Sequence, residues 1–125
     1  MKADFLKKRA KSFLENAETL IKKEECSLAA FNLEQASQLY LKYYLFLRLK
    51  DFPKTHSLSE LLVDIGEVYG KQKEIEKLRK KHASVIGDLE QAYISSRYLP
   101  VEFYLPQVEE MRKFVKKLLK FLESL

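Results

Sequence analysis

The chain has 125 residues and a formal net charge of +5, since 23 Lys and Arg stand against 18 Asp and Glu. Hydrophobic residues make up 46% of it and charged residues 33%, which excludes a disordered chain, and no apolar run approaches the ~18 residues of a membrane span. The three glycines and three prolines all lie from Pro53 onward, so long stretches contain no helix breaker and composition favours helices over a turn-rich β fold.

Size, charge and cysteine content also limit the function. A length of 125 residues fits one domain spanning residues 1–125. The positive charge is compatible with a nucleotide, RNA or an acidic protein as partner, although Lys interleaved with Glu is equally typical of solvated helix faces and of thermophilic proteins. Cys26 is the only cysteine, which excludes an internal disulfide, and the amphipathic start differs from a signal peptide, so we expect a cytoplasmic protein.

The first two helices are predicted from the spacing of apolar residues. These recur every three to four positions from about Lys2 to Lys23, with Lys and Glu opposite, which predicts a one-sided helix. After a polar break over residues 22–27, a second helix is predicted to run to about Lys50. It is apolar almost all round, so we expect it at the centre of the fold.

A turn separates the second helix from a short third one. Pro53 cannot continue a helix and disfavours helical geometry in the residue before it. Ser57 and Glu60 fit a capping box, in which the Ser57 hydroxyl accepts from the Glu60 backbone N–H and the Glu60 carboxylate returns to the Ser57 N–H. The third helix should therefore begin after Ser57 and end at Gly70.

The rest of the chain predicts two more helices. Apolar residues step by three and four from Lys71 to about Arg97, which predicts one continuous fourth helix. Pro100 and Pro106 bracket a short apolar loop, after which a fifth helix is predicted to reach the end of the chain. Short connections between long helices favour antiparallel neighbours, so the predicted fold is all-α, an up-and-down antiparallel bundle of four to five helices.

Polar side chains on the second helix form the first candidate site. Gln35, Gln38 and Lys42 fall on one side of the helix, because they follow the i, i+3, i+7 rule. A polar row in an otherwise apolar helix is a candidate for ligand binding. The alternative interpretation is that it is simply the one wet face of that helix.

An arginine between two tyrosines forms the second candidate site. Tyr93, Arg97 and Tyr98 lie at the predicted end of the fourth helix, beside the aromatic loop 101–104. Arginine with flanking tyrosines can hold a phosphate and stack on a base, although the same residue types commonly make protein contacts. We expect the Arg97 guanidinium to project beyond the helix end.

Signatures of familiar catalytic sites are absent. The sequence contains no Gly-rich phosphate loop, HExxH, CxxC or nucleophile elbow. His56 precedes the predicted cap, where it can hydrogen-bond the turn, and His82 lies on the apolar stripe of the fourth helix, where a core histidine is the common case. Neither has a Glu three residues before it, as a di-iron bundle requires, so we predict no metal site, no cofactor and no catalytic residue.

Several short motifs, taken in chain order, resemble those of the HEPN domain family. They are Ala29-Ala30-Phe31, Gln35-Ala36, Leu41-Lys42, Thr55-His56-Ser57-Leu58 and Ser96-Arg97-Tyr98. The resemblance covers the first four predicted helices. It implies a bundle of four or five antiparallel helices, frequent homodimers and, often, a minimal nucleotidyltransferase as operon partner. It also implies a binding role for Gln35, Lys42, His56 and Arg97.

Ribonucleases of that family carry an arginine followed, after four to six intervening residues, by a histidine. After Arg97 the corresponding positions hold Glu102, Phe103 and Tyr104, so the motif is absent. Our hypothesis is therefore a non-catalytic HEPN-type module that binds a nucleotide or a protein partner, forms a homodimer and works with a nucleotidyltransferase. Two alternatives stay open: a divergent, toxin-like ribonuclease that uses Arg97 with Tyr98 or Tyr104, and a plain dimeric helical scaffold.

The amount of apolar sequence also favours a homodimer. The second helix is nearly all apolar, and the loop from Leu99 to Leu105 is apolar as well. One small bundle can hardly cover both, so we expect a second copy of the chain to cover part of this surface.

Overall fold

The computed structural model of the protein describes residues 3–125, and within this range the chain forms six α-helices and no β-strand. The helices are α1 (Asp4–Lys22), α2 (Cys26–Leu49), α3 (Leu58–Tyr69), α4 (Gln72–Lys81), α5 (Ala83–Tyr98) and α6 (Leu105–Glu123). The predicted all-α fold is confirmed, with one helix more than expected. The predicted start of the first helix at Lys2 lies outside the described residues. None of the six helices has the length and hydropathy that crossing a membrane requires.

A tight turn joins α1 and α2 into a hairpin. Glu24 has a left-handed φ of 57°, its N–H donates to the Ile21 carbonyl, and the Glu25 N–H donates to the Leu20 carbonyl, both at 2.9 Å. This pair of hydrogen bonds is a Schellman motif, which satisfies carbonyls that the helix end would otherwise leave free. The turn lets α1 and α2 pack side by side along their length.

Helix α2 lies at the centre of the bundle, as predicted. It packs against α1, α3, α5 and α6. Its Leu33, Leu41 and Leu45 are fully buried, in one cluster of apolar side chains to which every helix contributes. The bundle thus covers the middle of α2, which removes part of one premise of the homodimer prediction, whereas Leu28 and Leu49 near its two ends stay exposed.

The start of α3 follows the predicted capping box only in part. The Glu60 backbone N–H donates to the Ser57 hydroxyl at 3.2 Å, as predicted. The Glu60 carboxylate, however, accepts from the Thr55 hydroxyl at 2.5 Å, and Thr55 Oγ1 accepts from the Ser57 N–H at 3.1 Å. Thr55 takes the place predicted for Glu60 because a hydroxyl two residues away reaches that N–H within one turn. Gly70 ends α3 in left-handed geometry, as predicted.

The prediction of one continuous helix from Lys71 to Arg97 is wrong, because the chain breaks at His82 into α4 and α5. His82 has φ −114° and ψ 23°, outside helical geometry. Helix α4 packs mainly against α3, whereas α5 packs mainly against α2 and α6. One straight helix cannot follow both surfaces. The His82 ring is half-buried at this joint, with its centroid 5.1 Å from that of Phe114 on α6.

The loop between α5 and α6 is anchored at one end of the bundle. Phe103 is buried, and the Ser27 hydroxyl donates to the Val101 carbonyl at 3.4 Å, which holds the loop against the start of α2. The side chains of Leu99, Val101 and Tyr104 stay exposed. The apolar loop is therefore only partly covered by its own bundle.

Candidate functional site

The predicted site residues lie on two facing helices and on the segment that leads into α3. Helices α2 and α5 pack against each other, and His56 lies just before α3. We call this surface the α2–α5 face; it consists of Phe31, Glu34, Gln35, Gln38 and Lys42 of α2, Glu90, Tyr93, Arg97 and Tyr98 of α5, and His56.

Arg97 lies at the centre of an aromatic cluster. Its Cζ is 4.5 Å from the ring centroid of Tyr93, 4.9 Å from that of Tyr98 and 5.0 Å from that of Phe31. Its Nε and Nη2 donate to the Tyr93 carbonyl at 2.9 and 2.6 Å. The guanidinium therefore folds back over its own helix and does not project beyond the helix end as expected. Its remaining N–H donors are directed away from that carbonyl.

A histidine from another part of the chain extends this cluster. The rings of His56 and Tyr93 are stacked, with centroids 4.8 Å apart and planes inclined by 22°. Glu90 holds them in register, because its carboxylate accepts from the hydroxyls of Ser57 at 3.2 Å and Ser59 at 2.9 Å. These two bonds tie α5 to the start of α3 and so place His56 opposite Tyr93, one turn along α5.

Glu34 is a fully buried carboxyl in the middle of α2. Its Oε1 accepts from Gln35 Nε2 at 2.8 Å and its Oε2 accepts from Gln38 Nε2 at 2.5 Å. Burial raises the pKa of Glu34 to about 7, and the two amide hydrogen bonds oppose that rise. Of the more distant charges, Arg97 lowers the pKa and Glu90 raises it. The carboxyl is therefore poised to change charge near neutral pH.

Lys42 is a second buried charge on the same side of α2. Lys42 is only 8% exposed, and its Nζ lies 5.7 Å from the ring centroid of Phe52. Burial lowers the pKa of Lys42, and the Glu34 charge opposes this shift. No carboxylate of residues 3–125 forms an ion pair with Lys42 or with Arg97. The face therefore carries two cations that no carboxylate contacts directly, although the Glu34 charge acts on both from a longer distance.

The arrangement suits an extended anionic ligand with a planar group. Phe31, next to Arg97, and Lys42 are eleven residues apart on α2, which corresponds to about 16 Å along the helix axis. The glutamine amides lie between these ends, and the stacked rings of His56 and Tyr93 lie at one side. Over the described part of the chain, no group of three or more His, Cys, Asp or Glu side chains is placed to hold a metal ion.

The two acidic residues of this face are absent from the sequence-based prediction. Glu34 is the only acidic residue in the 24 residues of α2, and it lies four positions before Gln38, so its isolation in an apolar helix is a usable signal. Glu90 gave no such signal. It lies on a helix rich in exposed polar residues, and its serine partners are 31 and 33 positions away.

Comparison with known proteins identifies the fold. A family model described as "HEPN domain" matches residues 3–125. Among solved structures, the chain is similar to TT1696 from Thermus thermophilus, with 24% sequence identity and a TM-score of 0.79. The match covers 98% of this chain and 97% of that one. No curated protein matches the sequence significantly. At this identity the structural likeness concerns the fold alone.

Proposed function

The chain belongs to the HEPN domain family, and on this basis we propose that it is a non-catalytic nucleotide-binding module that acts as a homodimer. The ligand lies on the α2–α5 face. A minimal nucleotidyltransferase is the protein partner, as the family resemblance implies, and the complex works in the cytoplasm.

The unpaired charge of Lys42 is the observation that carries this proposal. A buried ammonium with no carboxylate in direct contact lowers the free energy of unfolding, since it has lost water and the more distant Glu34 charge offsets only part of that loss. Lys42 is 8% exposed and has no such partner among the described residues. A phosphate group supplies the missing negative charge. A residue that is costly for the free protein and favourable in a complex is typical of a binding site.

The other groups of the face favour a nucleotide over a simple anion. Arg97 offers a planar fork for phosphate, and Tyr93 and His56 offer stacked ring surfaces for a base. Gln35 and Gln38 lie between the cations and can hydrogen-bond the edge of a base.

Exposed apolar side chains near this face support the homodimer. Ile94 is 55% exposed, Tyr98 71% and Leu99 54%, all on the last turns of α5 or just after it. Leu28, at the start of α2, is exposed as well. A cluster of this kind beside Arg97 is typical of an interface, because apolar patches on a monomer tend to be covered by a partner.

Thermal stability with and without ATP tests the binding site. A ligand that binds only the folded state raises the melting temperature by mass action, so ATP should stabilise the wild type. Lys42→Met and Arg97→Ala should abolish the shift, and Arg97→Lys should restore little of it, because lysine lacks the planar fork. Lys80→Met is the matched control, since Lys80 is exposed on α4 and pairs with Glu76. If ATP shifts the melting temperature of all variants equally, the nucleotide does not bind at the α2–α5 face. If no nucleotide shifts the melting temperature of the wild type, the plain helical scaffold is the alternative that remains.

Light scattering at tens of micromolar, order of magnitude, tests the dimer. The wild type should have the mass of two chains, and Ile94→Arg should reduce it to one. A monomeric wild type contradicts the proposal. Co-expression with the product of the neighbouring reading frame tests the protein partner: co-purification of a nucleotidyltransferase supports it, and separate elution counts against it.

A divergent ribonuclease is the second candidate, favoured by one contact. His56 stacks on Tyr93, and the Arg97 guanidinium lies over the same ring and donates to the Tyr93 carbonyl, so a histidine and an arginine both contact one tyrosine. Together they can serve as an acid or base and a phosphate ligand. RNA cleavage that disappears in both His56→Ala and Arg97→Ala supports this candidate. Cleavage that persists in both variants comes from a contaminant and excludes it.

A further inference from the structure

The carboxylate of Glu34 decides which way two amide groups point. An ionised carboxylate can only accept hydrogen bonds, so Gln35 and Gln38 must both turn their nitrogens toward it. The O and N branches of an amide diverge. The oxygens of both amides are therefore directed away from Glu34, and neither accepts a hydrogen bond from the described residues.

The α2–α5 face thus holds two hydrogen-bond acceptors side by side, one on the half-buried Gln35 and one on Gln38, which is 4% exposed. Gln35 and Gln38 are three residues apart on one helix, so their side chains are neighbours. An exocyclic amino group on a nucleobase carries two N–H donors on one nitrogen, and an oxo group at the same position carries none. A pair of acceptors therefore discriminates between the two kinds of base.

We infer that Glu34 is a positioning residue that orients Gln35 and Gln38 so that the site selects a nucleobase with an exocyclic amino group over its oxo counterpart. This inference rests on the proposed nucleotide site. The glutamine oxygens contact the base, and Glu34 acts through them without touching the ligand.

Protonation of Glu34 should exchange the positions of the oxygen and the nitrogen in one of the two glutamine amides. A protonated carboxyl has an O–H that must donate, and the nearest acceptor is a glutamine oxygen, so that glutamine turns its nitrogen outward. The face then offers one acceptor and one donor. Burial and the nearby Glu90 charge favour the protonated form, and the amide bonds and Arg97 favour the ionised form, while the Lys42 charge on α2 is coupled to that of Glu34. The selectivity should change as this carboxyl titrates.

Affinities for ATP and inosine triphosphate test the inference, because these nucleotides differ only at the 6-position of the purine and in the proton that N1 carries in the oxo base. At pH 8 the wild type should bind ATP about tenfold more tightly, since the oxo base offers only its ring N1–H as a donor there and leaves one glutamine oxygen unpaired. Between pH 8 and pH 6 this ratio should fall. In Glu34→Gln the ratio should be near one at every pH, because the amide donates to one glutamine and accepts from the other. Glu76→Gln, which changes an exposed carboxylate on α4, should behave as wild type.

Titration of the phosphates, and of every other group that both ligands share, changes the two affinities equally. The ratio of the affinities is therefore independent of these titrations. A merely structural Glu34 would change both affinities together and leave their ratio independent of pH. Equal binding of ATP and inosine triphosphate by the wild type at pH 8 would overturn the inference and leave the proposed site intact. Absence of binding by either would overturn the proposed function and the inference with it. The pH series on the wild type decides the matter even if Glu34→Gln folds poorly.

Discussion

Replacing Glu34 by glutamine removes a buried carboxyl whose pKa is raised by burial from its ordinary value of 4.5 to about 7. The folded protein therefore binds this proton more tightly than the unfolded chain does. The contribution of Glu34 to the free energy of unfolding is largest below about pH 4.5, falls as the pH rises toward 7, and is then constant. Ionisation of a buried carboxylate thus destabilises the protein at alkaline pH.

The size of the effect follows from the difference between the two pKa values. At 1.36 kcal/mol for each pH unit, this difference corresponds to about 3 kcal/mol. Glutamine has the same shape and no charge, so Glu34→Gln should gain stability relative to wild type as the pH rises. The gain should be small at pH 5 and approach about 3 kcal/mol at pH 8. In urea this corresponds to a midpoint difference of about 1 to 3 M, given the usual dependence of stability on denaturant.

Urea unfolding followed by circular dichroism at 222 nm, at several values between pH 5 and pH 9, measures this effect. The difference between variant and wild type isolates Glu34, because all other titrations are common to both proteins. Glu76→Gln is the matched control, since it makes the same change at a carboxylate that is 63% exposed. If Glu34→Gln differs from wild type by the same amount at pH 5 and pH 8, Glu34 does not titrate as a buried acid, and our account of this face is wrong.

Four further predictions concern the helix ends and the glycines. Gly87→Ala should add about 0.5 to 1 kcal/mol to the free energy of unfolding, because the new methyl group meets open space and alanine favours the helix. Gly66→Ala should gain less or lose stability, because its methyl group meets Ile75 and the backbone of Gln72 at 3.2 to 3.3 Å; equal gains contradict the packing of α3 on α4. Glu24→Gly should raise the melting temperature, because φ 57° is strained for glutamate, and a loss would argue against the Schellman turn. Ser57→Ala should cost about 1 kcal/mol in urea unfolding, and no change would mean that α3 starts elsewhere.

Local sequence signals predicted most of the fold correctly. The mostly apolar sequence of α2 placed it at the centre, and the Ser57 and Gly70 signals gave both ends of α3. Such signals work because periodicity, caps and left-handed glycines act within one or two turns of the chain. The homodimer, the nucleotide and the site residues remain predictions.

Only the tertiary structure decided which polar groups meet and where a helix breaks. The break at His82 follows from α4 and α5 packing on different helices, although the sequence around it keeps helical spacing. His56 meets Tyr93, and Glu90 meets two serines, across more than thirty residues of chain. Apart from that break, the sequence by itself determined the helices and their buried sides, because those depend on neighbours along the chain. The charge states of Glu34 and Lys42 depend instead on how completely the assembled bundle excludes water from them, which no local pattern records.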